Sequence, residues 1–256
     1  MPRQDHIPAG DPCWVELVTS DLAATLAFYE AVLGWTYDDK GEEYGGYVTA
    51  LADGATVAGI MPRTPEMPPG DEWSLYLATD DVDASAAAAA AAGAQVVVPP
   101  MQVMELGSMS VFVDPGGAMI GVWQPAEHHG FDVVAEPGAP AWFELHTADH
   151  AASEKFYETV FGWDMHRMSD TDEFRYSTHG LEDDAKAGIM QAIDDTLPEG
   201  VGGEWSVYFQ VTDADAAVAT AEKLGGTIVM APEDTPFGRL AVVKDATGAS
   251  FRLVAS

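Results

Sequence analysis

The chain has 256 residues, 42 acidic against 11 basic, and a formal net charge of −31. That field repels phosphate backbones and anionic membrane surfaces, so neither nucleic acid nor a membrane is an expected partner. A lone Cys13 excludes an intrachain disulfide, no apolar run reaches the roughly 18 residues of a membrane span, and the first dozen residues lack a signal-peptide core, so a cytoplasmic protein is expected.

Trp14-Val15-Glu16-Leu17-Val18-Thr19 alternates as a half-buried strand does. Asp21 is placed to cap a helix with Leu22, Leu26, Tyr29 and Leu33 at helical spacing, and Gly34 stops it. Strand-like runs follow over 44–52 and 56–61, then a Pro-rich loop over 62–70. A second round has a strand over 73–79, an alanine-rich helix over 83–92 stopped by Gly93, and strands over 95–98, 108–113 and 119–123. Asp114-Pro115-Gly116-Gly117 forms the last turn. Cys13, beside Trp14, reads as a small packed residue.

The chain then repeats itself. PCWVELVTSDLAATLAFYEAVLGW at 12–35 returns as PAWFELHTADHAASEKFYETVFGW at 140–163. AGIM at 58–61 returns at 187–190, EWSLYLATDDVDA at 72–84 as EWSVYFQVTDADA at 204–216, and GSMSVFVDPGGA at 107–118 as GRLAVVKDATGA at 238–249. The shared order marks a duplication, giving domains over 1–124 and 140–256 and a linker over 125–139. The charge is shared too: 19 acids and 3 bases fall in residues 1–128, 23 and 8 in the rest.

This ordered set of motifs resembles the vicinal oxygen chelate superfamily of glyoxalases, extradiol dioxygenases and bleomycin-resistance proteins. The matching residues are Asp21 with FYEAVLGW, DDVDA, Gly93 and DPGG, and in the second half Asp149 with FYETVFGW, TDADA, Gly225-Gly226 and DATG. The duplicated acidic form is similar to actinobacterial proteins of glyoxalase-like or hydroxylase-like type. The resemblance implies an α+β fold of two tandem domains: four βαβββ modules in cupped, mostly antiparallel mixed sheets with helices outside. It also implies metal ligands at set strand positions, which fall here on Trp14 and Trp142, Ser74 and Ser206, Gly121 and Arg252. The fourth-strand stretches 58–61 and 187–190 hold no carboxylate. Trp, Gly and Arg give a divalent ion no donor and Ser a poor one, so no metal or other cofactor is expected. A divalent ion relocated to Glu144 and His146 is the alternative.

Strand alternation selects the cleft lining. Trp14, Glu16, Ser74, Tyr76, Met119, Gly121 and Trp123 face inward in the first half; Trp142, Glu144, His146, Ser206, Tyr208, Ser250, Arg252 and Val254 do so in the second. The aromatic lining suits a small aromatic or hydrophobic metabolite, an antibiotic to be sequestered among the candidates. Equally, Trp14 and Trp142 fill space that a metal would take. Arg252 is placed to pair with Glu144, as an ion pair or around a ligand. The alternative function is an enzyme of glyoxalase, lyase or hydroxylase type using Glu144, His146 and Tyr208 for proton transfer; a closed, partner-binding duplicate is the third reading. His128 and His129 read as linker, His6, His150, His166 and His179 as exposed or edge residues, and the segments 62–70 and 197–203 as lids or plain linkers. A monomer with pseudo-twofold symmetry is expected, with a homodimer as the alternative.

Overall fold

The computed structural model describes residues 6–67, 69–192, 197 and 200–255, the side chain of Asp183 excepted. The first half runs β1 (Pro12–Thr19), α1 (Leu22–Leu33), β2 (Thr36–Asp39), β3 (Val48–Ala52), β4 (Ala55–Pro62), β5 (Glu72–Ala78), α2 (Val82–Ala91), β6 (Gln95–Val103), β7 (Gly107–Val113) and β8 (Met119–Pro125). The second runs β9 (Pro140–Thr147), α3 (His150–Phe161), β10 (Met165–Asp170), β11 (Arg175–His179), β12 (Ala187–Gln191), β13 (Gly203–Gln210), α4 (Ala214–Lys223), β14 (Thr227–Thr235), β15 (Gly238–Lys244) and β16 (Ser250–Ala255). Each half builds one eight-stranded mixed sheet, ordered β2-β3-β4-β1-β5-β8-β7-β6 and β10-β11-β12-β9-β13-β16-β15-β14. Antiparallel pairing of β1 with β5, and of β9 with β13, joins two βαβββ modules in each sheet. Consecutive modules share a sheet, so the fold is α+β, two tandem domains without exchange between halves.

The elements follow from local chemistry. Val15 and Leu17 are fully buried, while Trp14 and Glu16 point to the other face. Asp21, Asp81, Asp149 and Asp213 each accept the backbone N–H three residues on, at 2.9–3.0 Å, capping the four helices. Some sequence expectations need correction. The buried stripe of α1 is Thr25, Phe28, Tyr29, Val32 and Leu33, with Leu22 and Leu26 only partly buried, because α1 lies between its own sheet and the second domain. The run over 44–52 divides into a 3₁₀ turn at Glu42–Tyr44 and β3, since Gly45 and Gly46 take positive φ. The strand expected over 95–98 continues through Pro99 and Pro100 to Val103; at the sheet edge a proline costs no ladder bond.

The domains meet through α1 on α4, α2 on α3, and β5 on β13. Tyr29 of α1 donates to Asp245 Oδ2 at 3.1 Å and accepts from Trp73 Nε1 at 3.0 Å. Tyr157 of α3 donates to Asp114 Oδ2 at 3.0 Å and accepts from Trp205 Nε1 at 2.9 Å. Each aspartate spends its other oxygen on its own turn: Asp245 on the N–H groups of Thr247, Gly248 and Ala249, Asp114 on that of Ala118. Trp35 Nε1 donates to the Gly138 carbonyl at 2.6 Å and Trp163 Nε1 to that of Gly10 at 2.8 Å. The FYE, GW and Asp-turn motifs are therefore parts of the domain boundary. No helix among the described residues is long and apolar enough to cross a membrane.

Tyr157→Phe leaves the Trp205 indole and Asp114 Oδ2 buried without this partner, at an expected cost of about 1–3 kcal/mol. Tyr29→Phe is expected to cost the same, and because the two relays share no partner the losses should add. Urea midpoints of both single variants and the double variant check this.

Candidate functional site

The face of each sheet opposite its helices carries a duplicated polar cluster. Glu16 on β1 stands opposite Ser74 on β5 and Gly59 on β4; Glu144 on β9 stands opposite Ser206 and Gly188. A methyl group at Gly59 would overlap the hydroxyl of Tyr47, and one at Gly188 that of Tyr176. The recurring AGIM glycine thus admits a phenol from the neighbouring strand to the carboxyl. Trp14 Nε1 donates to the Tyr47 hydroxyl at 3.0 Å, and Trp142 hydrogen-bonds Tyr176 in the same way. Tyr47 and Tyr76 both hydrogen-bond Glu16; Tyr176 and Tyr208 both hydrogen-bond Glu144, the latter at 2.8 Å. Burial and the adjacent carboxylate keep all four phenols protonated.

The two copies then diverge. Around Glu16 burial dominates and the two phenol hydrogen bonds only partly offset it, so its pKa lies above the usual carboxylate value. Burial also opposes ionisation of Glu144, but His146, Arg252 and Tyr208 together outweigh it and hold its pKa below that value. The difference arises where His146 stands in place of Val18 and Arg252 in place of Gly121. A methyl group at Gly121 would overlap the Tyr76 ring, whereas the second copy places Arg252 beside Tyr208, with its guanidinium 5.3 Å from the ring centroid.

His146 Nε2 lies 3.0 Å from Glu144 Oε1 and 2.8 Å from Arg252 Nη2. A guanidinium only donates, so Nε2 accepts from Arg252 when it carries no proton and donates to Glu144 when it carries one. Only one of the two contacts is a hydrogen bond at a time. His146 Nδ1 and Arg252 Nε are buried without a hydrogen-bond partner.

The first face is covered by the segment between the domains. His128 packs edge-on against Trp14, centroids 4.3 Å apart, and lies 5.6 Å from Trp123, whose Nε1 donates to the His128 carbonyl at 2.8 Å. Phe131 lies 5.7 Å from Trp14 and donates its backbone N–H to the Cys13 carbonyl at 3.0 Å. Trp14 is only 4% exposed. Trp142 is half-buried, and among the described residues no ring packs on it. A recess of about 310 Å³ lies elsewhere, between α1 and α4, lined by Ala31, Gly34, Pro137, Asp213 and Ala217 among others.

The structure gathers Trp14, Glu16, Ser74 and Tyr76 on one face and Trp142, Glu144, His146, Ser206, Tyr208 and Arg252 on the other. Trp123 joins the first set through His128. Met119 lies apart at the start of β8, opposite Val113. Arg252 hydrogen-bonds His146, and its charge acts on Glu144 beyond it. His150 corrects the expectation of an edge histidine. It is 1% exposed, 3.7 Å from Glu154, because α3 turns it inward. Cys13 is buried against the Tyr76 carbonyl, where burial raises its thiol pKa and leaves it unreactive. The lid expectations over 62–70 and 197–203 lie partly outside the described residues, at Pro68 and 198–199. Tyr47, Tyr176 and the capping role of His128 were missed; the signal present was the tyrosine standing twelve residues before each AGIM glycine.

The positions that the family resemblance gives to metal ligands hold Trp, Ser, Gly and Arg, and among the described residues no three of His, Cys, Asp and Glu converge on a cation-sized site. Glu144 and His146 offer only two donors, both committed to Tyr208 and Arg252, so this donor set does not fit a family metal.

The family model described as the Glyoxalase/Bleomycin resistance protein/Dioxygenase superfamily matches residues 12–122 and 139–253. The chain belongs to that superfamily. It is 38% identical over 259 residues to CFP32 of Mycobacterium tuberculosis, which carries a provisional glyoxylase name, covering 99% of this chain and 98% of the relative. It is 35% identical over 264 residues to the anthracycline biosynthesis protein DauV of Streptomyces sp. strain C5, covering 96% and 93%. A Mn(II)-bound glyoxalase from Novosphingobium aromaticivorans shares the fold at TM-score 0.63 and 20% identity, covering all of this chain and 83% of that one.

The two carboxyls give opposite tests. The raised pKa of Glu16 means that its contribution to stability is present at low pH and lost as pH rises through the folded value. Glu16→Gln should therefore match or exceed the parent's urea midpoint near neutral pH. The lowered pKa of Glu144 contributes stability above the unfolded value, lost as pH falls through the folded one, so Glu144→Gln should cost about 1–3 kcal/mol there. Burial first, then His129 and Lys40, lower His128 to about 4 from 6.5. The neutral ring's stabilisation is complete above 6.5 and is lost as pH falls towards 4, so the stability gap between parent and His128→Phe should change across that window.

Proposed function

We propose that the concave face of the second domain binds a small aromatic or hydrophobic molecule without a resident metal. The observation that carries this reading is Trp142, half-buried and with no ring packed on it among the described residues, on the same face as a carboxylate held ionised by His146 and Arg252. An indole face, two phenols and a few oriented polar groups make a lining of the kind that stacks a flat molecule and fixes its orientation. The anthracycline biosynthesis names of the DauV and DnrV relatives support an antibiotic or its precursor as the ligand, and sequestration as the role.

A second reading, an enzyme of glyoxalase, lyase or hydroxylase type, is favoured by the chain of contacts from Tyr208 through Glu144 to His146, at 2.8 and 3.0 Å. Those distances allow a proton to pass between substrate and protein once a substrate lies within reach. We further infer a cytoplasmic monomer, whose pseudo-twofold boundary already buries the α1–α4 and α2–α3 surfaces.

Untagged protein should carry under about one tenth of an equivalent of Zn, Fe, Mn or Ni; a stoichiometric metal overturns the metal-free reading. Aromatic natural products should quench tryptophan fluorescence, and Trp142→Ala should weaken binding by about tenfold or more, from the ~1–3 kcal/mol of a lost stacking contact. Turnover of methylglyoxal with a thiol, abolished in Glu144→Gln, would establish the enzyme instead.

A further inference from the structure

We propose that the protein has one binding site per chain, in the second domain, and that its ligand is a neutral aromatic carbonyl compound. Its ring packs against Trp142 as the His128 ring packs edge-on against Trp14, and its carbonyl oxygen accepts from Arg252. This rests on the reading of the second face given above and specifies what that face recognises.

The duplication supplies the first argument. Trp14–Tyr47–Glu16–Tyr76 and Trp142–Tyr176–Glu144–Tyr208 are the same cluster built twice. In the first copy the protein's own segment completes it: a neutral imidazole packs edge-on against Trp14, with Phe131 beside it. The corresponding indole in the second copy has no ring against it among the described residues. The first face therefore displays how an aromatic ring fits this cluster, and the second leaves that position to another molecule.

The hydrogen bonds of the second face point to the same ligand. Arg252 and Glu144 both address His146 Nε2, which satisfies one of them at a time. When the imidazole donates to Glu144, Arg252 keeps only its hydrogen bond to the Tyr208 hydroxyl, and its Nε has no acceptor in either state. His146 Nδ1, on a side chain only 3% exposed, is also unpartnered. Glu144 already receives Tyr176 and Tyr208, so what the face lacks is an acceptor for the guanidinium Nε. A ligand oxygen would supply it and leave His146 to Glu144. Arg252 stands at one of the inherited metal-ligand positions, so a guanidinium would polarise the ligand oxygen in place of a cation bound there. The formal charge of −31 opposes approach of an anion, which favours a carbonyl over a carboxylate or phenolate.

The test uses the full chain with 9-fluorenone and its deoxy counterpart fluorene as probes, followed by calorimetry and tryptophan quenching. Parent protein should bind one equivalent of fluorenone and bind fluorene at least tenfold more weakly. Arg252→Met should weaken fluorenone by tenfold or more and leave fluorene unchanged, the unchanged fluorene affinity showing that the face is intact. A His128→Gly, Phe131→Ala variant should gain a second equivalent for either probe. Equal affinity for both probes, insensitive to Arg252→Met, would overturn the carbonyl assignment while leaving an aromatic site standing. Two equivalents on the parent would overturn the role of His128. Binding of neither probe by parent or variants would remove the aromatic-site reading itself.

Discussion

The structure depends on a pair of buried hydrogen-bond relays that cross between the domains in opposite directions. A tyrosine on the first helix of one domain is fixed by a tryptophan of its own sheet and reaches the turn aspartate of the other domain, and the reverse relay does the same. The aspartate joins two jobs, shaping its own turn with one oxygen and receiving the foreign tyrosine with the other. Each relay ties the first helix of one domain to the last turn of the other. Burying such groups is costly unless every partner is present, so the relays select one relative arrangement of the two sheets. With that arrangement fixed, the faces away from the helices are set, and each presents its central strands outward.

On those faces, duplication has kept a cluster and changed its electrostatics. The carboxyl, the indole and two phenols recur, and so does the strand glycine that lets one phenol reach in. What differs is the company. Without a cation, burial drives Glu16 towards its neutral form; beside His146 and Arg252, Glu144 is held as a carboxylate. One acid is a hydrogen-bonded core element and the other is the anionic end of a short charged array. The exchange of Val18 for His146 contributes most to this, and that of Gly121 for Arg252 adds to it, since glycine lets a tyrosine lie flat where arginine instead extends across its ring.

Much of this was legible in the sequence. The repeat, the alternation of β1 and the capping aspartates carry the fold, because period, caps and turns are local properties. The inward positions of Trp14, Glu16, Trp142, Glu144, His146 and Arg252 followed from alternation alone. Three things were not legible. Tyr47 and Tyr176 come from strands whose pairing with β4 and β12 sets their reach, and a run of sequence does not contain its register. The covering role of His128 depends on the path of an irregular segment over a sheet, which no periodicity describes. The burial of His150 comes from α3 packing on β12 of its own sheet, and the inward turn of the α1 stripe towards Phe28 and Val32 from the second domain lying on that helix. A pattern read within one half cannot report what the other half covers.

The segment over the first face limits what else that face can hold. It is anchored on both sides, by β8 before it and by the Phe131 bond to Cys13 after it, so its imidazole is never far from Trp14. A group tethered this closely competes at an effective concentration on the order of millimolar. A dissolved ring of equal intrinsic fit would have to exceed that concentration to displace it. The first domain is in this sense permanently self-liganded. It supplies one side of the domain boundary, and its inner face is packed by the protein's own rings.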